Sequence, residues 1–259
     1  VLHPVRMTTP QTALAPERRR DVLRQSWSVG VATGAYGVSF GALSVAAGLD
    51  VLQTQALSTL MFTGGSQFAF VGIIAAGGLA AAPAAIATAA LLGLRNGLYA
   101  IQNALFLGVR GPRRVAAAQL TIDESTAVGI AQPEPAAQRL GFWHTGIAVF
   151  LFWNLATLAG SLLGNALGDP RRWGLDAAAA AAFCALLWPR LRGRDPIATA
   201  VLAIFIALLS APFVPAGVPV ILSAVAALVV ALGGTQRPDR PDRPTSDGHG
   251  HLVGEGPLP

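Results

Sequence analysis

A single arginine in the middle of a long apolar run limits what this chain can become. Ala84 to Leu107 is long enough to cross a bilayer as a helix, and Arg95 stands near its midpoint. A charge at that depth costs roughly 2.5–3.5 kcal/mol on insertion scales, so it must face protein or a watery cavity. At helical spacing Arg95, Tyr99, Gln102 and Phe106 share one face, with Asn96 and Asn103 beside it. Ala90, Leu94, Leu98, Ile101 and Leu105 make the opposite side apolar. Arg95 is either half of a buried ion pair that fixes helix register or a group that recognises or gates a carboxylate. Both readings require an acidic partner.

Composition places that run in a membrane protein. Hydrophobic residues make up 53% of the chain and charged residues only 12%, against about a quarter charged in soluble domains. With about 20 residues per span, the expected fold is an all-α integral membrane protein, a polytopic bundle of about eight transmembrane helices, or seven if Val115–Ala131 does not cross. All 18 basic residues are arginine. They cluster between apolar spans, where they orient helices, and no nucleic-acid function follows from them. The lone Cys184 excludes an internal disulfide and argues against a thiolate metal cluster; no cofactor and no metal site is expected.

Taken in order, residues 1–25 read as a mobile, basic cytoplasmic tail, residues 26–234 as the transmembrane domain, and residues 235–259 as a low-complexity, disordered tail. The first span, Ser26–Leu49, carries Gly30, Gly34, Gly37 and Gly41 on one face, which lets another helix approach closely. The second, Leu57–Leu79, contains Gly64-Gly65-Ser66-Gln67. Such a run is poor helix material at membrane depth, so it marks either a broken helix that meets a solute or a tight helix crossing. Val115–Ala131 is short for a span and holds Asp123 and Glu124, about 100° apart on a helix. It is read as buried, supplying the counter-charge for Arg95, rather than as a surface hairpin. Gly141–Leu167, Trp173–Trp188, Ile197–Phe213 and Gly217–Gly233 complete the spans. Gly41-x-Leu43-x-x-x-Ala47-x-x-Asp50 is echoed by Gly160-x-Leu162-x-x-x-Ala166-x-x-Asp169.

The most specific stretches are Phe40-Gly41-Ala42-Leu43 with Ala46-Ala47-Gly48-Leu49, then Met61-Phe62-Thr63-Gly64-Gly65-Ser66-Gln67-Phe68, Leu94-Arg95-Asn96-Gly97-Leu98-Tyr99, and Asp123-Glu124-Ser125. In these the chain resembles the AzlC family, the large subunits of branched-chain amino acid exporters, over most of residues 28–235. Members usually carry a histidine after the arginine of the third stretch; Asn96 stands there in this chain, so no histidine role carries over. The resemblance implies a two-component permease of the inner (plasma) membrane, with a small AzlD-like membrane subunit as partner. Its expected substrates are valine, leucine, isoleucine or similar apolar amino acids, exported at the expense of the proton gradient.

The residues by themselves suggest a related picture. A zwitterionic solute offers a carboxylate to Arg95 and an ammonium to an acid, along a path lined by Gly64, Gly65, Ser66, Gln67, Asn96, Tyr99, Gln102 and Asn103. Asp123 is taken as the fixed partner and Glu124 as the proton carrier, because a desolvated carboxylate is pushed towards exchange near neutrality. A passive channel fits the glycine-rich spans but not central charges of mixed sign. An intramembrane enzyme lacks its motifs: the spans hold no Cys/His cluster, HExxH or GxSxG. With eight spans both termini are cytoplasmic, Arg139 lies inside, and Arg110, Arg113 and Arg114 lie outside.

Overall fold

The computed structural model describes residues 14–167, 184, 187–188 and 191–233, and every regular element among them is helical. Helix α1 (Pro16–Gly34) and α2 (Tyr36–Ala46) follow each other with only Ala35 between them. The helix thus starts at Pro16, well before Ser26, and residues 16–25 are its first turns. Helix α8 (Pro135–Leu167) lies along both. The register of that contact is legible from its closest approaches. Gly30 abuts Ala148, Gly34 abuts Phe152, Gly41 abuts Thr157 and Ser161, and Gly164 abuts Ala42. Positions rise together along both helices, so they run parallel.

Glycines permit this approach from both partners: a β-carbon on Gly41 would strike the Thr157 carbonyl, and one on Gly160 the Val38 carbonyl. The echo between the segments ending at Asp50 and Asp169 therefore corresponds to two helices that pack on each other through small residues.

Two parallel helices need an even number of intervening direction changes, and the chain makes them with hairpins. Asp50 opens α3 (Val51–Leu60) through a reciprocal cap, its Oδ1 accepting from Gln53 N at 2.7 Å and its N–H donating to Gln53 Oε1 at 3.0 Å. Helix α3 ends at Leu60, and α4 (Gly65–Gly77) starts after a four-residue break. Ile73 and Ile74 near the end of α4 pack with Ala47 and Leu49, the residues just before α3 begins. The chain has therefore gone in and come back out on one face, the Asp50 face. After a 3-10 turn (Gly78–Ala81), α5 (Ala82–Leu107) crosses to the other side. There Arg139 Nε donates to the Phe106 carbonyl at 2.7 Å, and the Phe106 ring meets Phe142 at the start of α8.

Helices α6 (Pro112–Gln119) and α7 (Asp123–Ile130) repeat the manoeuvre from this second face. Eight residues rise only about 12 Å, too little for a core about 30 Å thick, and α8 begins where α5 ended. The segments expected as the spans Leu57–Leu79 and Val115–Ala131 are thus re-entrant hairpins instead of crossings. Periodicity did not reveal this because each limb is as apolar as a span. Their tips touch: Gln119 Nε2 donates to the Thr59 carbonyl at 2.7 Å. A long helix followed by a hairpin, α1–α2 with α3–α4, recurs upside down as α5 with α6–α7.

Three described stretches, Pro16–Ala46, Gly65–Leu107 and Pro135–Ala166, are long and apolar enough to cross a membrane. In the second, Gly78 (φ 61°) turns the chain so that α4 and α5 lie side by side, leaving α5 as the crossing helix. Helices α9 (Arg194–Ser210), α10 (Val218–Ser223) and α11 (Val225–Gly233) pack together, and Gly217 abuts Ile73 and Ala84. Nearly all of the expected span Trp173–Trp188, and the tails 1–13 and 234–259, lie outside the described residues.

The hairpins also correct the expected sidedness of three arginines. Arg18 binds Gln132 at 2.9 Å and Glu134 at 3.6 Å in the α7–α8 loop, so the start of α1, that loop and the α5–α6 turn share one face. Arg110, Arg113 and Arg114 thus stand with Arg18 and Arg139, not across the membrane from them. The described loops of the opposite face, residues 47–50, 78–81 and 211–217, contain no arginine.

Two outcomes follow. In a Cys184→Ala background, Arg113→Cys and Glu134→Cys should be labelled by an impermeant maleimide from the same side, and Leu79→Cys from the other. Labelling of positions 113 and 134 from opposite sides would refute the second hairpin. Gly41→Ala and Gly160→Ala should each lower stability in detergent by about 1–3 kcal/mol, whereas Gly72→Ala, with open space around it, should not. Thermal unfolding of the purified variants checks this.

Candidate functional site

Three interruptions in the helices meet around one cavity. Thr33 and Tyr36 flank the α1–α2 junction, Phe62 to Gly65 run from the α3–α4 break into α4, and Ile122 to Glu124 run from the α6–α7 break into α7; all line a cavity of about 270 Å³. That size is at the small end for ligand sites. Its walls are apolar and aromatic. Phe68 and Trp153 stand edge to face with centroids 6.1 Å apart, and Phe40 stacks behind Trp153 at 5.8 Å. Val149, Leu92 and Phe62 complete the apolar side.

Arg95 holds the polar end. Its Nη2 donates to the Thr63 carbonyl at 3.2 Å and lies 3.7 Å from Asp123 Oδ1, so one guanidinium touches both hairpin breaks. Each of the two charged side chains keeps 29% of its surface accessible, which fits a hydrated cavity better than a sealed ion pair. Asp123 and Glu124 are the first residues of α7, where helix-terminal N–H groups favour carboxylates. Gly65 lies beside the arginine, and a β-carbon there would sit in ordinary contact with Nη2 at 3.6 Å. Gly64 has φ 61° and ψ −93°, a conformation that L side chains enter only with strain.

Each break is closed by the third residue of the following helix. Gln67 is wholly buried. Its Oε1 accepts from Gly64 N at 3.2 Å, and its Nε2 donates to the Leu57 and Ser58 carbonyls at 3.0 and 3.3 Å. Ser125 does the equivalent work at the second break, accepting from Ile122 N at 3.1 Å and donating to Leu120 O at 2.6 Å. These side chains replace backbone bonds that a broken helix forfeits inside a membrane.

The residues expected to line a path fall into two groups. Arg95, Gly64, Gly65, Asp123 and Glu124 line the cavity. Gln67 staples the break, and Ser66 is buried near Gly93 with its hydroxyl unpartnered. Asn96 and Tyr99 are partly buried beside the cavity lining, and Gln102 is exposed. Asn103 is buried and donates to Thr126 Oγ1 at 2.9 Å, tying α5 to α7. The apolar side of α5 (Leu94, Leu98, Ile101, Leu105) faces outward, as its spacing implied. Sequence reasoning missed the wall: Phe68, Val149 and Trp153 carry no chemical signature, and only the fold brings α4 and α8 to Arg95.

Half-helices that enter from opposite faces and end at a charged site near mid-depth are a construction of transporters. Fold and site together define a transport-related integral membrane protein. The sequence profile of one family, described as AzlC protein, matches residues 28–167. The chain belongs to that family. No curated protein and no solved structure matches it.

Gln67→Ala should remove the side-chain bonds to Gly64 N and to the Leu57 and Ser58 carbonyls, lowering stability by about 1–3 kcal/mol. Ser66→Ala, which removes a buried hydroxyl without a partner, should leave the unfolding temperature unchanged or raise it. Equal losses in both variants would contradict the stapling role.

Proposed function

We propose that the protein is the large subunit of a permease that exports branched-chain or similar apolar amino acids, coupled to protons and working with a small AzlD-like membrane subunit. The observation that carries this reading is one small cavity with Arg95, Asp123 and Glu124 at one end and an aromatic–aliphatic wall at the other. An amino acid has the matching layout: a carboxylate for Arg95, an ammonium for an acid, and an apolar side chain for the wall. Membership of the AzlC family supports the same assignment.

In this reading Asp123 is the resting partner of Arg95, and the substrate carboxylate takes its place on the guanidinium. The released Asp123 carboxylate then faces the substrate ammonium. Glu124, next in the chain and in the same cavity, carries the proton. The arginine-bearing face is the cytoplasmic side of the inner membrane, following the positive-inside tendency, and the N-terminal end of α1 lies there.

Proteoliposome flux of labelled leucine tests the assignment. Arg95→Ala should abolish flux while the protein still inserts, and Arg95→Lys should recover little, because an ammonium lacks the planar two-pronged donor. Glu124→Gln should keep counterflow exchange but lose its response to a pH gradient, whereas Asp123→Asn should weaken binding itself. Uphill transport at the parent rate by both carboxylate variants would sink the mechanism, and normal flux through Arg95→Ala would sink the site.

A further inference from the structure

Away from the central cavity, a second hollow of about 620 Å³ lies between the C-terminal half of α5 and α6. Its floor and walls are mostly small and apolar, with Ile101 and Ala104 from α5 and Ala117 and Ala118 from α6, interrupted by the polar Asn103 and Thr121. At its mouth stand Arg110 and Arg114, with Arg113 next to them on the first turn of α6. No acidic residue occurs in the sequence between Asp50 and Asp123, and among the described residues no ion pair involves these arginines. Helix α6 is little covered: Ala117 is its one buried residue, and Val115 is 72% exposed. Ile101, across the groove, is 69% exposed. A largely apolar furrow at membrane depth thus ends at the interface in cations that make no ion pair among the described residues.

We propose that this groove binds one anionic phospholipid, its phosphate on Arg110 and Arg114 and an acyl chain along the alanine-lined floor. Charge complementarity selects the occupant. Two guanidiniums with no carboxylate partner among the described residues call for an anion with an apolar tail attached, and basic pockets between membrane helices recognise such headgroups. The depth of the groove gives the site a consequence. Thr121, in the α6–α7 break, is part of its lining, and the next residues, Ile122 to Glu124, line the central cavity. A chain lying in the furrow therefore props the second hairpin from its lipid side, and the ligand fills a gap that the fold leaves beside α6.

Native mass spectrometry of the full chain, extracted from vesicles of equimolar phosphatidylcholine and phosphatidylglycerol, reads the site directly. The parent should retain phosphatidylglycerol in preference to phosphatidylcholine. Arg110→Gln and Arg114→Gln should each reduce that preference about fivefold, the effect of about 1 kcal/mol per arginine at an anionic surface. Ala118→Trp, which fills the furrow without changing charge, should remove the lipid as well. Arg20→Gln/Arg24→Gln, altering exposed charges on the same face, should retain it, and so should a wash with inorganic phosphate. Retention by Ala118→Trp, or equal loss in the Arg20/Arg24 variant, would reduce the site to general surface charge and overturn the proposal. Loss of the lipid upon co-purification with a small membrane subunit would instead make the groove a helix-docking face, and the proposal would fail.

Discussion

One guanidinium joins the two halves of the architecture. Arg95 reaches the carbonyl of Thr63 in one hairpin break and the carboxylate of Asp123 in the other. Burying a cation at mid-membrane is tolerable only where hydrogen bonds and an opposite charge meet it. The breaks supply both, because a chain that leaves helical geometry frees carbonyls and can present the first residues of the next helix. The arginine and the interruptions therefore depend on each other. Without the breaks the charge lacks partners at that depth, and without the charge two hairpin tips present polar backbone to one another with little to hold them.

The breaks need a rigid frame, and close packing of α1–α2 against α8 provides it. Backbone-to-backbone contact through Gly30, Gly34, Gly37, Gly41, Gly160 and Gly164 lets dispersion act over the whole length of two parallel helices, where lipid offers no hydrophobic drive. Trp153, Val149 and the Phe40–Trp153 stack belong to that frame, so the apolar wall of the cavity stands on its least yielding part. At the polar end, the glycine break and the two acids that face Arg95 stand instead on short helices held by single side-chain staples, Gln67 and Ser125. A site with one firm wall and one lightly held wall suits a solute that must be bound and then released.

Much of this was legible in the residues. Arg95 announced itself by charge in an apolar run, Gly64-Gly65 by its poor fit to a helix, and Asp123-Glu124 as acids in an otherwise apolar segment. The glycine rows of the first and fifth expected spans told of close packing. The direction of the chain was not legible. A hairpin limb and a crossing helix bury equally apolar residues, so Leu57–Leu79 and Val115–Ala131 read as spans, and Arg110, Arg113 and Arg114 were expected on the wrong side. Gln67 read as a solute contact because an amide at membrane depth looks the same whether it meets a ligand or a broken backbone.

The sequence by itself determined a helical membrane protein, the depth of its one central cation, and the points where helices must yield, because those follow from local charge, length and backbone freedom. Only the tertiary structure decided that the two acid- and glycine-bearing segments turn back, enter from opposite faces and meet tip to tip. It set Asp123, the acid expected as the fixed partner, 3.7 Å from Arg95, and it alone assembled Phe68, Val149 and Trp153 into a wall. The physical reason is that these choices rest on contacts between residues far apart in the chain, such as Gln119 with Thr59 and Gly41 with Thr157. Their energies depend on distance in space, which no local pattern of residues encodes.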